Sequence, residues 1–263
     1  MQFHNTFISH SQAESLVFIG SDYSVMFDGI NDHATISDSS KHLQYTEAEF
    51  DAHGLTVNLW VKFDAFSGSE PLYCIGRNHN QYYGYGFQIG NNKKAQIHMY
   101  GLNGTASGGG SNNRKTRQTT TTLNTGQWYM LTFVMGSHDR ADWKIYFNGV
   151  NQSATNSGNN SVTLTYNNTT NALIGRSGRT SSERYHAGNI SSLASWEDVL
   201  DATQIASLYN SGQGLDPTVD SSYGGTDSSG NLRNFFRFEQ NGQDTEVNAS
   251  VSFTGTVFET DVP

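Results

Sequence analysis

The sequence has a single cysteine, Cys74, among its 263 residues. One cysteine excludes an intrachain disulfide, so packing and hydrogen bonds must hold the fold together. Cys74 lies in the apolar run Leu72-Tyr73-Cys74-Ile75, which has the appearance of a strand. This position predicts a buried thiol without chemical function.

Charged residues are also scarce, at 15% of the chain, and the formal net charge is −9. The one concentration of basic side chains, at residues 114–117, falls in a polar stretch over residues 101–122 that we expect to be a long loop. Without a basic stripe, an acidic chain is a poor partner for nucleic acid. We therefore predict no nucleic-acid binding.

Long apolar runs are missing as well. No run approaches membrane-spanning length, and the first residues show neither the basic nor the apolar segment of a secretion signal. The sequence therefore predicts no membrane insertion and no export through an N-terminal signal peptide.

The chain is instead rich in Ser, Thr, Asn, Gln and Gly, with 15 Phe and 13 Tyr. A turn-rich composition with few charged helix formers favours an all-β fold, and the aromatic residues can fill the core of a sandwich. Since β-sandwiches of this length are commonly single domains, we expect one domain over residues 21–263 after an N-terminal arm at residues 1–20.

Two neighbouring segments show the strand pattern most clearly. Residues 126–133 and 143–150 both alternate apolar with other side chains, and a polar connection joins them. The second segment contains Asn148-Gly149, a pair that accepts the positive φ angles of a tight hairpin turn. The pattern predicts an antiparallel β-meander.

Residues 54–63 form a third clear strand, in which Leu55, Val57, Leu59 and Val61 share one face while Trp60 lies on the other. We expect the first face to be buried between two sheets.

One short helix is predicted near residues 202–210. Asp201 and Gln204 have the spacing of a capping box. Ile205 and Leu208 follow at helical spacing, and Gly212 marks the stop.

Several motifs occur together in one order: F-D-G-x-N-D at residues 27–32, W-V-K at 60–62, G-x-W-Y at 126–129 and I-x-x-L-Y-N-x-G at 205–212. In this order they resemble the laminin-G-like, or concanavalin A-like, jelly-roll family over roughly residues 23–240. The resemblance implies an antiparallel jelly-roll sandwich of two sheets. It also implies a protein that binds other molecules, most often glycans.

Two loops carry the side chains that a glycan site needs, since sugars stack on aromatic rings and bond to amide, Arg and His groups. The candidate glycan-binding residues are Arg77, Asn78, His79, Tyr82, Tyr83, Arg176, Arg179, Tyr185 and His186. We expect the two loops to meet at one rim, with Tyr82 as the stacking platform. The alternative is that individual tyrosines belong to the core.

A calcium site is a second possibility, because hard cations take oxygen ligands from loops and many laminin-G-like domains bind calcium. Asp28, Asn31 and Asp32 concentrate such oxygens in one turn. The competing interpretation, which the turn chemistry favours, is that these side chains only shape the turn.

Catalysis is not expected. Retaining glycosidases of this superfamily place carboxylates at Glu-x-Asp-x-Glu spacing on one strand, and the chain has no such motif. Glu197 and Asp198 are adjacent, so on a strand they would point to opposite faces. The histidines show no metal-ligand spacing.

The low charge, the single cysteine and the richness in Asn, Ser, Thr and Gly together resemble bacteriophage virion proteins. We therefore predict a surface protein of a virion (a decoration, fibre or knob protein) that binds host glycans. It would contact other virion subunits in a symmetric assembly through the arm at residues 1–20. The alternatives are a purely structural virion cement protein without a glycan ligand, and a lectin that is extracellular or lies on a bacterial surface.

Overall fold

The structure is a computed structural model that describes nine parts of the chain. These are residues 22–37, 47–75, 84–101, 114–158, 162, 171–178, 182–218, 231–238 and 250–263. The predicted arm lies outside the described residues, and so do Arg77, Asn78, His79, Tyr82, Tyr83 and Arg179.

Two antiparallel sheets of eight strands each form the described fold, as the resemblance implied. Sheet A contains β1 (Ser24–Asp28), β3 (Leu55–Phe63), β8 (Trp128–Met135), β9 (Trp143–Phe147), β10 (Val150–Asn151), β13 (Ala187–Trp196), β14 (Leu232–Phe236) and β16 (Val257–Glu259). Sheet B contains β2 (His33–Ser37), β4 (Glu70–Ile75), β5 (Tyr85–Ile89), β6 (Ala95–Tyr100), β7 (Arg114–Thr119), β11 (Ala154–Gly158), β12 (Ala172–Ile174) and β15 (Ser250–Thr254).

The strand orders interleave distant parts of the sequence. Sheet A runs β10-β9-β8-β3-β13-β1-β16, with β14 on the second half of β13, and sheet B runs β11-β7-β6-β5-β4-β12-β2-β15. The long strand β13 pairs with β3 along one side and with β1 and then β14 along the other. It is therefore central to sheet A.

The main core lies between the sheets, and β3 contributes the face that its alternation predicted. Leu55, Val57, Leu59 and Val61 are all fully buried there. Leu59 stands opposite Leu131 of β8 and Leu193 of β13, so it is enclosed on both sides within its own sheet.

A second apolar cluster covers the outer face of sheet A. Trp60 and Trp196 lie in this cluster, beneath the helix α2 (Ala202–Tyr209). The helix contributes Ile205 and Leu208. The Trp60 ring stacks on Tyr209 with a centroid distance of 5.9 Å. Because this cluster covers most of the outward face of β3, every residue of the strand except Lys62 is buried.

The capping box predicted for α2 is present. The Asp201 carboxylate accepts hydrogen bonds from the backbone N–H of Thr203 and Gln204, and the Gln204 side chain accepts from the backbone N–H of Asp201. A residue in the left-handed conformation, Asn210, ends the helix.

The predicted meander is confirmed as β8 and β9. Asn148 and Gly149 adopt φ angles of 50° and 78°, as a tight turn between two strands requires. Trp143 of β9 is fully buried, and its Nε1 donates to the carbonyl oxygen of Ser137 at 2.8 Å.

The described elements that were not predicted include one helix and one polar strand. The helix α1 (Glu47–His53) buries Phe50 against Tyr85, with the ring centroids 6.1 Å apart. Strand β7 lies in the stretch expected to be a loop; its polar sequence pairs with β6 and β11 near the edge of sheet B. Neither element shows an apolar period.

Cys74 is buried, as its position predicted. None of the helices in the described part of the chain has the length and apolar character needed to cross a membrane.

Candidate functional site

Two segments that the sequence analysis treated separately lie at the same end of the sandwich. The turn at residues 28–33 joins β1 to β2, and residues 176–186 join β12 to β13. Because β12 pairs antiparallel with β2, with Ile174 opposite Ala34, the end of β12 lies beside the start of β2. We call the described residues 28–33, 176–178 and 182–186 the rim.

A polar and aromatic cluster forms the surface of the rim. The Arg176 guanidinium pairs with the Glu183 carboxylate, and the Tyr185 hydroxyl donates to the same carboxylate. The Cζ atom of Arg176 lies 5.9 Å from the centroid of the Tyr185 ring. The centroids of the Tyr185 and His33 rings are 6.4 Å apart. The side chains of Arg176 and Glu183 are 26% and 31% exposed, so a ligand in solvent can reach them.

Backbone pairing fixes this cluster in place. Arg176 and Tyr185 form an isolated antiparallel bridge. Next to it, the Ser177 N–H donates to the carbonyl oxygen of Arg184 at 2.9 Å, and the Arg184 N–H donates to Ser177 Oγ at 3.0 Å. The functional groups are thus carried by a short ladder at the end of the two strands.

The charges of the cluster follow from these contacts. The hydrogen bond from Tyr185 and the neighbouring Arg176 hold the pKa of Glu183 below its ordinary value, and the same bond raises the pKa of the Tyr185 hydroxyl. At neutral pH the cluster therefore presents a guanidinium, a carboxylate and a neutral phenol side by side.

His186 does not belong to this surface, although the sequence analysis included it among the ligand residues. It is fully buried, with its ring against Phe27 and Phe63 at centroid distances of 5.8 and 5.4 Å. Adjacent side chains of an extended backbone point to opposite sides, as they do in a strand, and the bridge with Arg176 holds Tyr185 in such a backbone. Tyr185 faces outward, so His186 faces the core and cannot contact a surface ligand directly.

The register also argues against a rim shared by both predicted loops. Ile75 and Tyr85, which flank the loop at residues 76–83, pair with each other, and Ile75 also pairs with Ala172 at the start of β12. Arg176 follows the other end of β12. The two loops are therefore anchored at opposite ends of sheet B.

The turn proposed for calcium uses its carboxylates within the chain. Asp28 Oδ1 accepts from the backbone N–H of Ile30, Asn31 and Asp32, and Asp32 Oδ2 accepts from the N–H of Asp28 at 3.1 Å. Burial acts to raise the pKa of Asp28, but these backbone donors outweigh it and hold the pKa below its ordinary value.

These bonds are those of a side chain that shapes a turn. No cluster of three or more His, Cys, Asp or Glu side chains suited to a metal ion occurs in the part of the chain that the structure describes. The carboxylates of Asp28 and Asp32 thus shape the turn, and calcium binding there stays a prediction.

A second polar feature, missed by the sequence analysis, crosses the outer face of sheet B. Gln88 donates to Gln96 Oε1 at 2.8 Å, and Gln96 donates to Gln118 Oε1 at 2.6 Å. His98 lies between Gln96 Oε1 and Thr116 Oγ1, each at 2.9 Å. We call these five residues the amide ladder.

The signal for the amide ladder was present in the sequence. Its members alternate along three neighbouring strands, β5, β6 and β7, but the pairing of those strands was unknown. The side chains largely satisfy one another, and His98 and Thr116 are only 1% and 2% exposed. The ladder is thus less accessible than the rim.

A comparison with protein families decides the classification. Residues 28–206 match a family model described as the concanavalin A-like lectin/glucanases superfamily. The chain belongs to this superfamily. The match covers the rim, the amide ladder and most of both sheets, and its lectins and glucanases show that one sandwich serves both binding and hydrolysis.

Several solved structures are similar to this concanavalin A-like domain at low sequence identity. A candidate carbohydrate-binding protein from Bacteroides ovatus ATCC 8483 has a TM-score of 0.56 and 15% identity, over 90% of this chain and 59% of that chain. This domain therefore spans less than two thirds of the Bacteroides protein.

Two further structures align less closely. The heptameric SAP-like pentraxin from Limulus polyphemus has a TM-score of 0.48 and 15% identity, over 72% of this chain and 82% of that chain. The CBM40 module of the Ruminococcus gnavus IT-sialidase, bound to α2,3-sialyllactose, has a TM-score of 0.49 and 14% identity, over 71% of this chain and 98% of that chain. No curated protein matches the sequence.

Glu197 and Asp198, the adjacent carboxylates of this concanavalin A-like domain, both accept hydrogen bonds from the chain itself. Glu197 accepts from Arg233 Nε at 2.6 Å, and Asp198 accepts from the backbone N–H of Val199 at 2.7 Å. They lie in the bend between β13 and α2 and not on a strand.

Proposed function

We propose that this concanavalin A-like domain is a non-catalytic module that binds a carbohydrate at the rim. The observation that carries the proposal is the surface cluster of Arg176, Glu183 and Tyr185, which a backbone ladder fixes before any ligand arrives. Fixed groups lose little conformational freedom on binding, which favours affinity.

The chemistry of the cluster suits a sugar. A guanidinium donates to hydroxyl oxygens, a carboxylate accepts from hydroxyl groups, and such charge-assisted bonds are stronger than neutral ones. The rings of Tyr185 and His33 supply aromatic surface for the C–H face of a pyranose. The amide ladder offers similar groups, but its central His98 is buried, so the rim is the better candidate.

The comparisons support the proposal at the level of the fold. Carbohydrate binding is the assignment given to the Bacteroides ovatus protein, with which the chain shares its architecture over 90% of its length. Because a shared fold does not fix function, the proposal rests on the rim itself.

A matched pair of arginine variants tests the rim. Arg176 and Arg233 are both paired with a glutamate and both partly exposed, at 26% and 33%, but only Arg176 is on the rim. On a glycan array, Arg176→Ala and Tyr185→Ala should lose signal at least about tenfold, while Arg233→Ala retains it. Equal loss in both arginine variants, or in neither, would contradict the proposal.

We propose the loop at residues 77–83, with Tyr82 as its stacking residue, as a second and separate glycan contact, because its flanking residues Ile75 and Tyr85 lie at the opposite end of sheet B from the rim. The variant Tyr82→Ala on the same array tests it. Loss of about 1 kcal/mol or more of binding free energy would support a ring–sugar stack, and unchanged binding would remove this loop from the site.

We also propose that the module acts at the surface of a virion, with a bacterial cell surface as the alternative location. The support is compositional: low charge, one cysteine and many Asn, Ser, Thr and Gly residues. In a virion, the arm at residues 1–20 would contact neighbouring subunits. Deleting it should abolish incorporation into particles while leaving the thermal midpoint of the remaining domain nearly unchanged.

Calcium at the turn of Asp28, Asn31 and Asp32 is a proposal that calorimetry can test. Heat of binding in a calcium titration that disappears in Asp32→Asn would support it. An unresponsive protein would leave the turn with its structural role alone.

A further inference from the structure

Beneath the rim, two titratable side chains are buried together. Glu70, the first residue of β4, and His186 are each 0% exposed, and Glu70 Oε2 lies 3.9 Å from His186 Nδ1. Neither ring nitrogen of His186 makes a hydrogen bond among the described residues. A buried polar group without a partner is costly, so such an arrangement calls for an explanation.

Glu70 is bonded to the backbone that carries the rim. Its carboxylate accepts from the Ala187 N–H at 3.1 Å on one oxygen and from the Ser67 N–H at 3.2 Å on the other. Ser69, the residue before Glu70 in the chain, accepts from the Arg184 guanidinium through its hydroxyl. Glu70 and Ser69 are thus bonded to both ends of the segment from Arg184 to Ala187, on its buried side.

His186 is held at the same point. Its backbone N–H donates to the carbonyl oxygen of Gly175 at 2.8 Å, one residue before Arg176. Its ring packs on Phe27 of β1 and Phe63 of β3, which carry no charge. Glu70 on β4 is therefore the titratable group that faces the ring from the described elements packed around it.

A proton on His186 cannot be accommodated without movement. The imidazolium would stand among aromatic rings without a hydrogen bond, 3.9 Å from its nearest counter-charge, the Glu70 carboxylate. To pair with it, Glu70 Oε2 would have to leave the Ala187 N–H, because 3.9 Å is too long for a hydrogen bond. Protonation thus competes with the bond that positions the rim.

We propose that Glu70 and His186 form an acid-sensitive latch that positions the rim, so that acidification releases the segment of residues 182–187 and weakens ligand binding there. The ligand-binding part of this statement rests on the proposed function. The release of the segment does not, because it depends only on the chain's own groups.

The direction of the effect follows from the two pKa values. Burial lowers the pKa of His186 from its ordinary 6.5 to about 3, and the backbone of Asn189, which lies outside hydrogen-bond geometry, opposes this only in part. The closed latch therefore excludes a proton that the open, solvated ring binds, and opening becomes easier as pH falls below 6.5. Burial also raises the pKa of Glu70, although its hydrogen bonds act in the opposite direction. The buried Glu70 therefore binds a proton more readily than the solvated one, so its titration stabilises the closed latch in acid and opposes the effect of His186.

Hydrogen exchange of the full-length protein, without any ligand, tests the latch. After correction for intrinsic rates, exchange of the Arg184 and Ala187 amides should rise about tenfold or more between pH 7 and pH 5. In His186→Phe, which keeps the ring packing and removes the titration, the same change should stay below about twofold. His53→Gln, a variant of an exposed histidine in helix α1 outside the rim, should behave as the unmodified protein.

A second variant keeps the test decisive if His186→Phe folds poorly. Glu70→Gln retains one acceptor oxygen instead of two, so exchange at Ala187 should already be faster at pH 7, while exchange at Leu59 in the core is unchanged. The latch is wrong if the unmodified protein shows no pH dependence at the rim, or if His186→Phe retains it. Glycan binding measured at both pH values is a separate readout, so a failure to bind any glycan would overturn the proposed function and not the latch.

Discussion

At Gly188 the backbone leaves no room for a side chain. Its φ is 138°, and a β-carbon there would collide with the carbonyl oxygen of Lys62 on the neighbouring strand β3. Gly188→Ala should therefore lower the free energy of unfolding by more than about 1 kcal/mol, since the native conformation is incompatible with alanine. Urea denaturation measures this. Gly68→Ala is the control, because nothing lies near its β-carbon position, and an equal loss in both variants would contradict the account.

Leu59 tests the core at the same scale. It is fully buried between Leu131 and Leu193 of the adjoining strands, so Leu59→Ala should cost about 2–5 kcal/mol of unfolding free energy. Val150 is 63% exposed, and Val150→Ala should change stability by less than about 0.5 kcal/mol. An unchanged denaturation midpoint for Leu59→Ala would mean that the register of β3 is wrong.

Single residues also show where sequence reasoning stops. The alternation of β3 places Leu59 and Trp60 on opposite faces, and both positions are confirmed. The same rule, applied to Tyr185 and His186, would have separated an outward residue from an inward one. Those two residues come before a strand begins, however, and the isolated bridge that orients them involves Arg176, nine residues earlier.

Helix α2 is the element with the clearest local signal. Asp201 accepts two backbone N–H groups that would otherwise be unpaired at the start of the helix. Asp201→Ala should lower the unfolding free energy by about 0.5–2 kcal/mol, and the outer cluster around Trp60 should loosen with it, as tryptophan fluorescence would report. Thr203→Ala, an exposed change in the same turn, should have little effect; comparable losses in the two variants would contradict the capping role.

The elements that were missed lack such signals for physical reasons. Helix α1 has seven residues, which is too short for an apolar period to repeat, and Phe50 is its buried anchor. Strand β7 has the sequence Arg-Lys-Thr-Arg-Gln-Thr, which contains no apolar residue. It is a strand because it pairs with β6 and β11. Tertiary context decides both.

For the whole molecule, the order of motifs was sufficient to predict a two-sheet sandwich, but not the arrangement of its loops. Which loops meet depends on the pairing of distant strands, such as β12 with β2. That register joins Arg176 and Tyr185 to the turn containing His33, and it separates them from Ile75 and Tyr85, which flank residues 76–83. The sequence was therefore sufficient to predict which kinds of residue form the candidate site, but not which segments of the chain lie next to each other there.

The central claim is that a carbohydrate binds at the rim. Its most direct test is a titration of the isotope-labelled protein with the glycan that gives the strongest array signal, followed by amide chemical shifts in two-dimensional NMR. We predict shifts concentrated at His33, Arg176, Glu183 and Tyr185, with Gln96 and His98 of the amide ladder unchanged. Shifts centred on the ladder, or no glycan that binds at all, would contradict the claim.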